Sequence, residues 1–274
     1  MRLGLNAVLS HRTPEEWAEK THALGFRASV LPCGAEDDVE AYVSAAAAYD
    51  IRIAEVGAWS NPLSPDPDIR ARDLAFCKKQ LALADRAGAN CCVNISGARG
   101  PVWDAGYAEN YTEETRKLLI STVREILEDV NPKNTYYTLE PMPFMRPWSP
   151  EDYAQLIRDV DHPRFAVHLD ALNMVSSAET YFDTPGLLRR CFALLGKHIR
   201  SCHLKDVTLD HGGICLLKEV PCFKGGFDLV TYMRLAHEND PETPMLIEHL
   251  QTEEEYLASA ADVKAVLERE GIPY

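Results

Sequence analysis

Apolar and polar positions along the chain follow two alternating patterns, one typical of strands and one typical of helices. Short, mainly apolar runs predict eight strands, at residues 2–9, 26–32, 51–59, 90–96, 135–140, 165–170, 199–204 and 244–248. Segments with helical spacing separate them and predict eight helices, at residues 13–24, 38–49, 69–87, 112–130, from 149 onward, 184–195, 228–238 and 252–267.

Residues with strong end preferences support several of these boundaries. Thr13 and Pro14 are typical of a helix start, and Gly88 is typical of the position just after a helix end. Three prolines within residues 61–68 predict a loop there. Segments 97–111 and 207–226 are long for loops in such a pattern, which suggests lids or interface arms.

Strict alternation of strand and helix predicts a parallel sheet with helical crossovers. Eight such units in 274 residues match a closed (β/α)8 barrel better than an open doubly wound sheet. No Gly-x-Gly-x-x-Gly motif follows the first strand, so a dinucleotide-binding fold is disfavoured. We therefore predict an α/β protein whose residues 1–274 form a single barrel domain.

Composition and charge narrow the class of partner. The chain has 28 basic and 42 acidic residues, a net charge of −14 that disfavours nucleic acid and anionic membranes as partners. No apolar stretch is long enough for a membrane span. The N-terminal residues become polar too early for a secretory signal, and the eight cysteines form no C-x-x-C motif. We therefore expect a cytoplasmic protein with reduced thiols.

The last four strands of the predicted barrel each end in a group that can bind a metal, namely Glu140, Asp170, His203 and Glu248. The carboxyl ends of barrel strands carry the chemistry of this fold, so inward-pointing side chains there would meet at one mouth. Three carboxylates and one imidazole so close together need a compensating cation. The donor set suits Mn²⁺, Mg²⁺ or Co²⁺, with Zn²⁺ as a further alternative.

These strand ends, with the motifs TLEPMPF, VHLDALNM, SCHLKD and I-E-H-L, make the chain resemble the xylose isomerase-like TIM barrel superfamily over its whole length. It looks closest to sugar phosphate isomerase/epimerase proteins and is similar to C-glycoside deglycosidase subunits and inosose dehydratase. The resemblance implies one divalent metal, most often Mn²⁺, held by the four strand-end residues. It also implies a homo-oligomer, with a second, different subunit as the alternative.

The function implied by this resemblance is that of a metal-dependent isomerase or epimerase acting on a carbohydrate. Glu140 and Glu248 would exchange a proton at the carbon beside a carbonyl. The alternative is a lyase that uses the same site to eliminate water or an aglycone. A DNA-repair endonuclease of the superfamily is disfavoured by the charge and the few histidines, and a non-catalytic subunit by the intact set of four ligands.

The chain departs from the ketose 3-epimerases at three positions expected to contact substrate. Asn173, Arg146 and Leu209 stand where those enzymes have His, Glu and Arg. A free ketohexose is therefore disfavoured as substrate. Arg146 and Lys205 would suit an anionic or more oxidised sugar.

Other residues at strand ends or on the following loops are weaker candidates. Six residues in all are expected to contact substrate, namely Asn173, Arg146, Lys205, Trp59, Asn94 and Trp103. His168 is expected one layer below Asp170, either supporting a ligand or filling the core. Further positions considered for the pocket are Asn6, Glu55 and, as an acid, His211.

Overall fold

Eight parallel strands close into a barrel in the computed structural model, which describes residues 1–210, 212 and 215–274. The strands are β1 (Arg2–Leu5), β2 (Ala28–Val30), β3 (Arg52–Gly57), β4 (Cys91–Asn94), β5 (Tyr137–Leu139), β6 (Phe165–Leu169), β7 (Ile199–Leu204) and β10 (Pro244–Ile247). They follow one another around the barrel in chain order, and β1 closes it against β10, with Leu5 opposite Ile247. The predicted (β/α)8 fold is thus confirmed.

Helices surround the barrel and connect its strands. They are α1 (Pro14–Ala23), α2 (Val39–Ala48), α3 (Pro67–Ala87), α4 (Glu113–Val130), α5 (Pro150–Val160), α6 (Ala178–Phe182), α7 (Thr184–Leu195), α8 (Leu229–Asn239) and α9 (Glu253–Glu270). None of the helices in the described ranges is long and apolar enough to cross a membrane.

The helix boundaries predicted at Thr13 and Gly88 are confirmed, and one predicted loop is corrected. The Thr13 side chain accepts from the amide of Glu16, and Gly88 ends α3 at a φ of 65°. The prediction that residues 61–68 are all loop is wrong, because α3 already begins at Pro67. Asp66 makes this earlier start favourable, since its side chain accepts from two amides of the first helical turn.

The segment predicted as a long loop at 207–226 contains a two-stranded antiparallel hairpin. Its strands are β8 (Asp206–Asp210) and β9 (Leu216–Val220). Asp206 holds the segment that follows the hairpin. Its carboxylate accepts hydrogen bonds from the amides of Gly225 at 2.8 Å and Phe227 at 2.9 Å. A Cβ at Gly225 would lie 2.2 Å from the carbonyl oxygen of Val207, so this approach requires glycine. His211 lies outside the described residues.

Two buried tyrosines tie helices to the carboxyl ends of barrel strands. The Tyr153 hydroxyl on α5 donates to the Leu139 carbonyl at 2.6 Å and accepts from the Leu139 amide at 3.1 Å. The Tyr232 hydroxyl on α8 donates to the carbonyl of Leu169 at 2.7 Å. These bonds fix the backbone immediately before Glu140 and Asp170, so the direction of both side chains is set by helix packing.

Candidate metal centre

Four side chains converge at the carboxyl end of the barrel, where β5, β6, β7 and β10 finish. They are the four residues predicted as ligands, namely Glu140, Asp170, His203 and Glu248. One donor atom from each lies within 4.8 Å of the others. All four are buried, with no more than 5% of any residue exposed. Parallel strands end at the same edge of a barrel, which explains why residues so distant in sequence meet here.

A fourth carboxylate, outside the cluster, orients the imidazole of His203. Glu55 on β3 places Oε1 3.0 Å from Nε2 of His203 and Oε2 2.9 Å from Nε2 of His168. The hydroxyl of Ser201 also donates to Glu55, at 3.1 Å. Nδ1 of His203 therefore faces the cluster, 2.8 Å from Oε2 of Glu248. This carboxylate–imidazole arrangement is the one that holds metal-binding histidines in place.

Lys205 supplies a buried positive charge at the same place. Its Nζ lies 2.7 Å from Oδ2 of Asp170, 2.7 Å from Oε1 of Glu248 and 3.1 Å from Oε1 of Glu219. The side chain is only 2% exposed. An ammonium in contact with these carboxylates offsets part of the repulsion among them.

Burial and charge act in opposite directions on the site's proton affinities. Burial alone would lower the pKa of Lys205, but the charges of the surrounding carboxylates outweigh it and hold that pKa well above the usual range. Burial alone would raise the pKa of Glu248, but His203 and Lys205 hold it well below. For Asp170 burial prevails, and its pKa is raised. Without a metal ion, the carboxyl group of Asp170 is therefore more basic than that of Glu248.

The residues fit a divalent ion. Oδ2 of Asp170, Nδ1 of His203 and Oε1 of Glu248 are buried and make no hydrogen bond of acceptable geometry within the described residues. Their close neighbours are charged groups of the site itself, namely the ammonium of Lys205 for the two carboxylate oxygens and Oε2 of Glu248 for the imidazole nitrogen. Buried polar atoms without a well-formed hydrogen bond are uncommon in native proteins, so these three are available to a cation. Three carboxylates and one imidazole form the mixed oxygen and nitrogen donor set that hard and borderline divalent metals prefer.

We expect Mn²⁺ to stabilise the folded protein through this cluster. At an ion concentration of about 100 times Kd, the free energy of unfolding should rise by ~2.7 kcal/mol. Differential scanning fluorimetry should then show Tm increasing by several degrees, and a chelator should reverse the change. Asp170→Asn should lose most of this shift, whereas Asp68→Asn, at an exposed position, should keep it. An equal shift in both variants would place the bound ion elsewhere.

Three predicted substrate contacts other than Lys205 lie beside the cluster. Nδ2 of Asn173 donates to Oε1 of Glu140 at 2.8 Å, so Asn173 orients one of the candidate metal ligands. Trp59 and Trp103 line a cavity of about 310 Å³ together with Glu140 and Glu248. We call this space the inner cavity.

Two predicted contacts point elsewhere. The Asn94 side chain accepts from the amide of Ser60 at 3.2 Å and donates to the sulfur of Cys77 at 3.4 Å. Arg146 pairs with Asp152, and its guanidinium lies 4.3 Å from the ring centre of Trp148. Neither residue lines the inner cavity.

The sequence patterns do not indicate Glu219 or His249, and they indicate Glu55 only weakly. His249 follows Glu248 at a φ of 58° and lines the inner cavity. Its Nδ1 lies 2.6 Å from Oε2 of Glu219, which comes from the unpredicted strand β9. Glu55 carried a usable signal, because a carboxylate within an apolar strand is costly unless it is paired. Asn6, considered for the pocket, lines the inner cavity as well.

Comparison with known proteins covers nearly the whole chain. A family model described as "Xylose isomerase-like TIM barrel" matches residues 18–268. No curated protein matches the sequence significantly.

Solved structures with the same fold include three enzymes of different types. The probable 3-DHS dehydratase AsbF from Bacillus anthracis is 16% identical, with a TM-score of 0.72 over 97% of this chain and 98% of that chain. Endonuclease IV from Thermus thermophilus is 15% identical, with a TM-score of 0.75 over 98% and 100%. D-psicose 3-epimerase from Clostridium cellulolyticum is 16% identical, with a TM-score of 0.68 over 97% and 99%. At these identities the likeness demonstrates a shared fold.

Proposed function

Because the chain belongs to the family of xylose isomerase-like TIM barrels, we propose that it is a divalent-metal-dependent enzyme of carbohydrate chemistry. It would move a proton at the carbon beside a carbonyl in a sugar or sugar derivative, as an isomerase or epimerase does. Glu140, Asp170, His203 and Glu248 would hold the ion, for which Mn²⁺ is the first choice and Mg²⁺ the next.

One observation carries this proposal. Glu140 and Glu248 end strands that are not neighbours in the barrel, and both border the inner cavity. The imidazole of His203 lies between them, with Nδ1 3.4 Å from Oε2 of Glu140 and 2.8 Å from Oε2 of Glu248. Two carboxylates that reach one small space from different strands can act on opposite faces of a substrate carbon.

Different side chains would have different roles in the proton transfer. A bound divalent ion would polarise the substrate carbonyl and so acidify the neighbouring C–H. One of the two glutamates would remove that proton, and the other would return a proton from the opposite side. Asn173 fixes Glu140 through its 2.8 Å hydrogen bond. Trp59 and Trp103 would cover the sugar and limit the access of water.

Elimination is the second candidate, and Lys205 is the observation that favours it. Its buried ammonium lies 2.7 Å from carboxylate oxygens of Asp170 and Glu248. A fixed positive charge held there could stabilise the negative charge that develops on a departing hydroxyl or aglycone after the C–H proton has been removed, and the departing group would then take its proton from water. The existence of a dehydratase with this fold is consistent with such an outcome.

Hydrogen exchange in D₂O tests both candidates. The Mn²⁺-loaded protein is incubated with a panel of keto-sugars, keto-inositols and 3-oxo-glycosides, and products are followed by NMR and mass spectrometry. We expect deuterium at the carbon beside the carbonyl, with the carbon skeleton conserved. Loss of water or aglycone would establish the lyase instead. Absence of exchange on the whole panel, with Mn²⁺ bound, would contradict proton transfer as the function.

A further inference from the structure

The ammonium of Lys205 lies against two of the oxygen atoms that are available to a metal ion. Its Nζ is 2.7 Å from Oδ2 of Asp170 and 2.7 Å from Oε1 of Glu248. Neither oxygen has a hydrogen bond of acceptable geometry within the described residues, so attraction between opposite charges holds these contacts. An ion bound by the same oxygens would have to replace the ammonium there, because two cations at contact distance repel each other.

Glu219 is a further carboxylate in contact with this ammonium. Its Oε1 lies 3.1 Å from Nζ of Lys205. The Glu219 side chain is 40% exposed, whereas those of Asp170 and Glu248 are 1% exposed. Glu219 is also outside the group of four side chains that converge as candidate ligands. The ammonium therefore has one carboxylate partner that an ion at the cluster would not occupy.

The hairpin determines where this carboxylate lies. Lys205 is the single residue between β7 and β8, and the pairing of β9 with β8 places Glu219 opposite Val207. Oε2 of Glu219 lies 2.6 Å from Nδ1 of His249, which fixes the direction of the carboxylate. Partial burial alone would raise the pKa of Glu219, but the hydrogen bond with His249 and the charge of Lys205 hold it below its usual range. The hairpin thus brings an ionised carboxylate back beside the residue from which it starts.

We propose that Glu219 is a positioning residue of the metal centre, which keeps the ammonium of Lys205 when an ion takes the oxygens of Asp170 and Glu248. This inference rests on the proposed function, since it takes the four-residue cluster to bind a divalent ion. Before the ion binds, the ammonium contacts three carboxylates. Afterwards Glu219 remains as its carboxylate partner and holds it beside the cluster. Glu219 thereby makes the release of two ligand oxygens more favourable and raises the affinity of the centre for metal.

A double-mutant cycle on Mn²⁺ affinity, measured by titration calorimetry, tests this role. Glu219→Gln should weaken Mn²⁺ binding by about tenfold, because the displaced ammonium loses its remaining carboxylate. Lys205→Met should bind Mn²⁺ more tightly than the original protein, since no ammonium has to leave the ligand oxygens. In the Lys205→Met protein, adding Glu219→Gln should change the affinity by less than about twofold.

The matched control is Asp210→Asn, which removes one negative charge from the same hairpin. Asp210 is exposed and forms no ion pair among residues 1–210, 212 and 215–274. Its replacement should leave the Mn²⁺ affinity within about twofold of the original value, because exposed charges at a distance are screened by salt.

Amide hydrogen exchange of the hairpin gives a second measurement that needs no variant of Lys205, which is useful if Lys205→Met does not fold. Adding Mn²⁺ should slow exchange of the β8 and β9 amides several-fold, because a Lys205–Glu219 pair without competing carboxylates ties the hairpin more firmly to the barrel. The same addition should leave hairpin exchange nearly unchanged in Glu219→Gln.

The outcomes separate this inference from the proposed function. Unchanged Mn²⁺ affinity in Glu219→Gln would overturn the role of Glu219, as would an equal loss in the Lys205→Met protein or equal hairpin protection in Glu219→Gln. Deuterium exchange at a substrate carbon would leave the proposed function standing in those cases. The expected cycle without any such exchange would support the role of Glu219 and count against proton transfer. Absence of Mn²⁺ binding by the original protein would overturn both.

Discussion

Replacing Glu248 with glutamine is expected to lower the rate of deuterium exchange by about 10²- to 10⁴-fold while the barrel stays folded. Glutamine has nearly the same size, so the packing around this 3%-exposed position should survive. It cannot accept the substrate proton, and it removes one negative charge from the cluster around His203. The rate is measured by NMR in D₂O at saturating Mn²⁺, and folding by near-UV circular dichroism.

The matched control is Glu254→Gln, because Glu254 is exposed on the first turn of α9 and forms no ion pair among the residues that the structure describes. It should exchange at the rate of the original protein. Should Glu248→Gln keep more than a tenth of that rate with its metal content unchanged, Glu248 would not be a proton-transfer group. A loss of the circular dichroism signal would instead reveal a folding defect, and Glu248→Asp would then replace the test variant.

The second large effect is expected at Glu55, which does not line the inner cavity. Glu55→Gln should weaken Mn²⁺ binding by about 10- to 100-fold, the usual consequence of removing the hydrogen-bond partner of a metal-binding histidine. Its two oxygens contact Nε2 of His203 and Nε2 of His168, so the neutral amide would leave the orientation of His203 less strictly determined. Titration calorimetry with Mn²⁺ measures the affinity directly.

Ser201→Ala provides the comparison for Glu55, since it removes one hydrogen bond to the same carboxylate but leaves its charge. We expect a change in Mn²⁺ affinity well below that of Glu55→Gln, on the order of a few-fold. At saturating Mn²⁺, Glu55→Gln should recover most of the exchange rate, because Glu55 positions His203 and does not touch substrate. Unaltered Mn²⁺ affinity in Glu55→Gln would show that His203 needs no such support or is not a ligand.

The fold and the four-residue cluster could be predicted from the sequence for one physical reason. Periodicity separates strands from helices, and parallel strands in a closed barrel must end at one edge. Polar residues that close consecutive apolar strands are therefore brought together whatever their distance along the chain, as with Glu140 and Glu248. The roles of these residues stay predictions until metal binding is measured.

Features that depend on tertiary packing could not be predicted from the sequence. Its place in an apolar strand marks Glu55 as a paired carboxylate, but only the folded structure shows that its partners are His203 and His168. Glu219 reaches Lys205 from β9, whose sequence LLKEV has little apolar alternation. The orientation of Arg146 was equally unpredictable, because Asp152 and Trp148 compete with the cavity for its guanidinium.

The buried ammonium of Lys205 also bears on the order in which the protein is assembled. Without a cation beside them, carboxylates buried this close together would resist joint ionisation and would have to take up protons as the barrel closed. Here the chain carries its own counter-charge, in contact with Asp170 and Glu248. The barrel can therefore close around these carboxylates before any ion is bound, and a metal would be acquired by a protein that is already folded.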